Sequence, residues 1–170
     1  LGDPMAGKGV EAAGDLADGG RDLGQGGGQG VAFSRVYGVP VAEVVEVTQT
    51  DQGLRIDQVF VACDAGPVID PVSFAKQIEG GVLWGLGHAI NCKITYAQGQ
   101  AAQANYYDHP GLRLGQSPKI TLRILQNAPT LRGIGEPPVP PAAPALANAI
   151  FAATGRRLRE MPFADHMDFV

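Results

Sequence analysis

The sequence predicts an α+β domain, with β-hairpins in a mixed sheet packed against two main helices. Three observations carry that prediction. Valine-rich segments flank an Asp51-Gln52-Gly53 turn; Phe74, Ile78, Val82 and Leu86 recur every fourth residue behind an Asp70-Pro71 start; and an alanine-rich stretch around Leu146 and Ile150 stops at Gly155. The first is a hairpin signature, the second the apolar stripe of a helix lying on a core, the third a helix closed by a glycine cap.

At 170 residues the chain fits one domain and can bury a real core. A net charge of -4 and the lack of a Lys/Arg stripe argue against nucleic acid as the main partner, because phosphate binding needs clustered cations. Every apolar run is broken well before the ~20 residues of a membrane span. The chain begins with Leu and carries no targeting pattern, which reads as either a processed chain or a fragment of something longer, the fragment being favoured.

In chain order, residues 1–30 are Gly-rich, hold scattered Asp15, Asp18 and Asp22, and lack apolar periodicity. They are expected to form a disordered arm, with the folded domain spanning 31–170, since such a composition buries too little surface to offset its ordering entropy. The run ending at Gly30 lacks the Lys-Ser/Thr of a phosphate loop. Pro40 to Thr50 and Leu54 to Cys63 read as paired strands. Asp70 suits a helix N-cap and Pro71 the first helical position, where a missing N–H costs nothing. Beside the apolar stripe of that helix, Gln77, Gly81, Trp84 and His88 make a second face. Its glycines 80, 81, 85 and 87 each cost about 1 kcal/mol against Ala, a cost tolerated where another helix or a flat ligand comes very close. Lys93 to Ala97 and Ala101 to Tyr106 read as a strand pair, and Lys119 to Leu125 as a half-buried strand. A short helix through Leu146 and Ile150 follows, then a fraying tail through His166.

Few residues carry chemistry. Cys63 and Cys92 lie in apolar surroundings without metal-ligand spacing and read as buried free thiols, while His88, His109 and His166 form no ligand cluster in the linear sequence. No metal ligands are assigned. His88 reads as a hydrogen-bonded core or interface histidine, and Glu79 as a structurally paired acid. Glu136 is different. It stands between Gly133-Ile-Gly135 and Pro137-Pro138, and the proline after it pushes it toward an extended conformation on a stiff bend. Such a loop aims one acid at a ligand, though an ordinary proline-rich connection has the same composition.

Gln-Ile-Glu-Gly-Gly-Val-Leu-Trp-Gly-Leu-Gly (77–87), followed by Gly-Ile-Gly-Glu-Pro-Pro (133–138), resembles the C-terminal molybdopterin-binding domain of the xanthine oxidase/aldehyde oxidoreductase family of molybdenum hydroxylases. Pro-Ala-Leu-Ala-Asn-Ala-Ile-Phe-Ala-Ala-Thr-Gly (144–155) narrows the resemblance to the isoquinoline 1-oxidoreductase β-subunit type. It runs from about Gly30 to about Pro162. The resemblance implies a molybdenum-molybdopterin cofactor and hydroxylation of an aldehyde or N-heterocycle with oxygen from water. It implies Glu136 as catalytic base, Gln77 as a hydrogen-bond partner of the cofactor near the metal, and Gly80, Gly81 and Gly135 as backbone close to it. It also implies three partners: a small subunit carrying [2Fe-2S] clusters, the N-terminal portion of the large subunit, and a small-molecule substrate.

The family's large subunits are several times longer, and their upstream part supplies pocket residues that have no counterpart here. The alternative expectation is therefore a truncated, cofactor-free remnant acting as an interaction module through its sheet edge and Gly-rich arm.

Overall fold

The computed structural model of the chain describes residues 4–170. Nine elements follow in order: α1 (Pro4–Leu16), β1 (Gly27–Val36), β2 (Val39–Thr50), β3 (Gly53–Asp64), α2 (Pro71–Asn91), β4 (Tyr96–Ala97), β5 (Gln100–Ala101), β6 (Lys119–Leu125) and α3 (Val139–Thr154). Strands order as β1-β2-β3-β6, antiparallel except for the parallel β3/β6 pair, while β4 and β5 form a separate two-stranded ladder. The predicted α+β class holds, with a third helix added. No helix among the described residues is long and apolar enough to cross a membrane.

Alternation along β2 and β3 divides the sheet's residues between two layers. Val39, Val41, Val45 and Val47 join Val59, Val61 and Cys63 in the main core with α2 and α3. Ala42 and Val44 pack with Phe60 and Ala62 beneath α1. On α2 the predicted stripe is the buried one: Phe74, Ile78, Val82 and Leu86 all enter the main core. Asp70 caps this helix as expected, accepting from the backbone N–H groups of Val72 and Ser73.

The expected disordered arm is corrected. Its first three residues lie outside the described ones, but residues 4–16 are helical and 27–30 begin β1. Ala6, Ala13 and Ala17 are buried, so α1 seats small side chains against a shallow surface instead of the large periodic residues a sequence pattern detects. In β1 a Cβ on Gly28 would come within 2.5 Å of Ala149 O and Ala153 N. The glycines let α3 lie directly on the strand, the close backbone approach that glycine in a strand permits.

Three further expectations change. The strand pair around Gln98-Gly99 shrinks to two residues a side, closed by a turn in which both residues have positive φ. The last helix begins well before Leu146, at Val139, because Pro140 falls in its first turn, where the N–H is not needed. The tail is pinned instead of frayed: Phe163 is buried, and Val170 N donates to Leu54 O at 3.0 Å.

Among the described residues, three acidic side chains are buried. Glu46 accepts from Arg21 Nη2 at 2.7 Å and from Gln29 Nε2 at 2.8 Å, and Asp64 accepts from the backbone N–H groups of Gly66, Asn127 and Ala128. Glu43 is fully buried, on the same side of β2 as Val41 and Val45, and neither of its carboxylate oxygens has a hydrogen-bond partner among the described residues. Burial raises its pKa well above the usual carboxylate range. The folded chain therefore keeps a proton that the unfolded chain has released above about pH 4.3. The contribution of Glu43 to stability is therefore greatest below that pH and falls as pH rises toward the raised folded value. Glu43→Leu is expected to stabilise the chain by ~1–3 kcal/mol at pH 7, removing an unpaired polar group. Urea unfolding at several pH values checks this; an unstabilised variant with the same pH slope as the parent would contradict it.

Candidate functional site

The Glu136 loop and the exposed side of α2 form the walls of one cleft of about 470 Å³, lined by Val36, Gln77, Gly80, Gly81, Trp84, Gly135, Glu136, Val139 and Pro140. All five residues expected at a site from the sequence therefore come together. Gln77 reaches the cleft because it lies off the apolar stripe, one residue before buried Ile78. Glu136 reaches it because the bend is anchored on its C-terminal side. Its own carbonyl accepts from Val139 N at 2.9 Å, entering α3, while Pro137 and Pro138 are buried. Ser34 Oγ lies 3.5 Å from Pro137 O, tying the bend to β1.

Both polar groups are uncommitted. Among the described residues, neither the Gln77 amide nor the Glu136 carboxylate makes a hydrogen bond or ion pair, and both residues are exposed. Glu79, by contrast, is paired as expected, with Lys76 Nζ 2.7 Å away. The glycines sort into two groups. A Cβ on Gly80 or Gly135 would meet nothing within 4 Å, so neither is required to be small by the chain itself. On Gly81 it would run into Pro138, and on Gly85 it would lie 2.6 Å from Val139 O. Helix packing accounts for Gly81 and Gly85.

A larger cavity of about 540 Å³ lies between α1, β1 and α3. Its polar side chains are already used: Arg21 and Gln29 hold Glu46, and Asp22 accepts from Gly24 N. The cleft with two free polar groups is the better candidate for a polar ligand.

Cys63 is buried as expected, and burial, with the nearby Asp64 and Glu43 carboxylates, pushes its thiol up to about 12. The other expectation, that the histidines stay apart, is corrected for two of them. His88, Cys92 and His109 bring one ligand atom each to within 4.8 Å of one another, whereas the exposed His166 is not among them. His88 stands in the last turn of α2 and Cys92, four residues on, is its extended C-cap, a spacing visible in the sequence, but His109 arrives only through the fold of a loop.

The molybdopterin cofactor-binding domain family matches residues 5–113. That span holds Gln77, Gly80 and Gly81, stops before the Glu136 loop, and starts inside the segment expected to be an arm. The chain is 32% identical over 143 residues to the isoquinoline 1-oxidoreductase β subunit of Brevundimonas diminuta, covering 83% of this chain and 18% of that protein. It is also 32% identical over 118 residues to a membrane-bound aldehyde dehydrogenase of Gluconacetobacter polyoxogenes, a protein named with pyrroloquinoline quinone, covering 69% of this chain and 15% of the relative. Among solved structures, the aldehyde oxidoreductase of Desulfovibrio desulfuricans superposes with a TM-score of 0.64 at 19% identity, over 76% of this chain and 16% of that one, a likeness of fold. The chain spans less than a fifth of the length of these relatives.

Proposed function

The chain belongs to the molybdopterin cofactor-binding domain family, and on that premise we propose that it forms the wall of a molybdenum hydroxylase active site that carries the base. The single observation behind this reading is the convergence of Gln77 and Glu136, from separate elements, on one cleft with both side chains unpaired. The residues suit the group. Gln77 offers amide donors and an acceptor for a pterin or a metal-bound ligand, and Gly80 and Gly135 leave open backbone beside it. When bound, the molybdenum cofactor supplies the two-electron acceptor for an oxidation in which water provides the oxygen.

This chain's part is positioning and proton transfer. Gln77 orients the cofactor by hydrogen bonding. Glu136 takes the proton released as oxygen is delivered to the substrate, an aldehyde or N-heterocycle carbon. The stiff Pro137-Pro138 segment limits the loss of geometry that a mobile carboxylate would suffer. Trp84, 58% exposed, gives the cleft an apolar wall.

The cleft is open, and Ile69 and Leu131, both exposed, line an adjoining hollow that shares Gln77 with it. Apolar surface of this kind marks an interaction face. The remaining part of a large subunit covers it in this reading, and a separate [2Fe-2S] subunit carries electrons away. Alone, the chain holds half a site and is expected to retain the cofactor poorly.

Gln77→Ala in the assembled enzyme is expected to lower molybdopterin retention or turnover about 3- to 10-fold, the worth of one hydrogen bond of roughly 0.5–1.5 kcal/mol. Metal analysis and pterin fluorescence after extraction measure it. Parental values on both counts would remove Gln77 from the cofactor's contacts. Recovery of pyrroloquinoline quinone in place of molybdenum and pterin would overturn the proposed function as a whole.

A further inference from the structure

We propose that His88, Cys92 and His109 form a second, independent metal site that takes a borderline transition ion, zinc above all. The three side chains lie beside the Gln77/Glu136 cleft, in a separate cavity of about 320 Å³ that shares Gly80 and Trp84 with it.

Four features build the site. First, His88 Nδ1 lies 2.9 Å from Trp84 O. A carbonyl can only accept, so Nδ1 carries the proton and Nε2 keeps its lone pair, the outer-shell arrangement that fixes a ligating histidine's tautomer. Second, His109 Nδ1 is buried with no hydrogen-bond partner among the described residues, a desolvated ring nitrogen whose imidazole already faces His88 edge-on at 5.8 Å between centroids. Third, the loop that carries His109 is held over the end of α2. Asn91 Nδ2 donates to Gly111 O at 3.2 Å, Cys92 Sγ donates to Pro110 O at 3.7 Å, and Gly87 leaves room for Leu112 N. Fourth, the cavity has space for a further ligand beside Ser117 and Tyr106.

The donor set selects the ion. Two imidazoles and a thiolate suit zinc or copper and not magnesium or calcium, which prefer oxygen. Three protein ligands with one open position is the arrangement of zinc sites that bind water or a small molecule. Tetrahedral ligand atoms around zinc lie about 3.5 Å apart, given bond lengths near 2.0–2.3 Å. The observed limit of 4.8 Å therefore requires about an ångström of closure, within reach of χ rotation at Cys92 and His109. Binding breaks the Cys92 S–H, releases that proton to solvent and forms a metal–sulfur bond, with no change of oxidation state.

The test uses the whole chain, stripped with chelator and titrated with zinc chloride by calorimetry, and with cobalt(II) by absorption. The expected result is one equivalent bound, a thiolate-to-cobalt charge-transfer band in the near ultraviolet, and no response to magnesium. Cys92→Ser should abolish the band, and His109→Ala should weaken zinc binding by at least ~10–100-fold, the loss already typical of removing an outer-shell partner. Glu136→Gln should leave both unchanged, which keeps this site separable from the proposed active site. Circular dichroism confirms that each variant is folded. Absence of zinc binding to the parent chain, or equal binding by the folded Cys92→Ser and His109→Ala chains, would overturn the proposal.

Discussion

In an enzyme assembled from this chain and the remainder of a large subunit, Glu136→Gln is expected to lower turnover by about 10²–10⁴-fold, the range for a lost general base. Molybdenum content should stay near parental. The two readouts separate because the substitution is nearly isosteric and the side chain holds nothing else in place: among the described residues Glu136 makes no side-chain hydrogen bond or ion pair. Its backbone does the structural work, through the Glu136 O to Val139 N bond that leads into α3, and glutamine preserves that bond. A glutamine amide has no carboxylate to take up a proton at neutral pH. Steady-state rates with an aldehyde and an N-heterocycle, set beside metal analysis of the same preparation, give the answer. Undiminished turnover would remove Glu136 from the chemistry.

Gly30→Ala is expected to destabilise the fold by about 3 kcal/mol or more, at the upper end of overpacking costs. A Cβ there would collide with Ala149 N and Ala145 O and lie 2.6 Å from Asn148 C, all backbone atoms of α3. A helix backbone cannot rotate away as a side chain can, so the helix must lift off β1. That movement would reach the site, because the Glu136 bend feeds directly into α3 and Ser34 of β1 touches Pro137 O. Gly80→Ala is the control. Its Cβ meets nothing within 4 Å, and it gains up to about 1 kcal/mol of helix propensity. Chemical denaturation of the isolated chain distinguishes the two; equal stability of Gly30→Ala and the parent would refute the close packing of α3 on β1.

The parts of the fold legible in the sequence are those whose residues advertise their own environment. The β2/β3 hairpin was visible in its valines and its Asp51-Gln52-Gly53 turn, β6 in its alternation, and α2 in its four-residue stripe behind Asp70 and Pro71. What stayed hidden was built from small residues. The α1 helix presents alanines to a surface of Ala42, Val44, Phe60 and Ala62, and β1 opens with glycines chosen by the helix lying on them, which no local β-propensity reveals. Prolines 140, 141 and 144 masked the first turns of α3.

The site divides in the same way. Gln77 stands out through its motif and Glu136 through its loop chemistry, and the fold brings both to one cleft. Gly81 was expected beside a ligand and does line the cleft, yet its small size answers to Pro138. The His88, Cys92 and His109 cluster escaped because its third member is supplied by a loop whose path depends on Asn91, Cys92 and Gly87. Linear spacing has no access to that.

The most direct measurement is a crystal structure of the complete large subunit with its cofactor in place. The expected result is the metal-bearing end of the cofactor against this cleft, the Gln77 amide hydrogen-bonded to it, and the Glu136 carboxylate within ~2.6–3.2 Å of the reacting group or one water away. A cofactor seated elsewhere, with Gln77 and Glu136 still facing solvent, would contradict it.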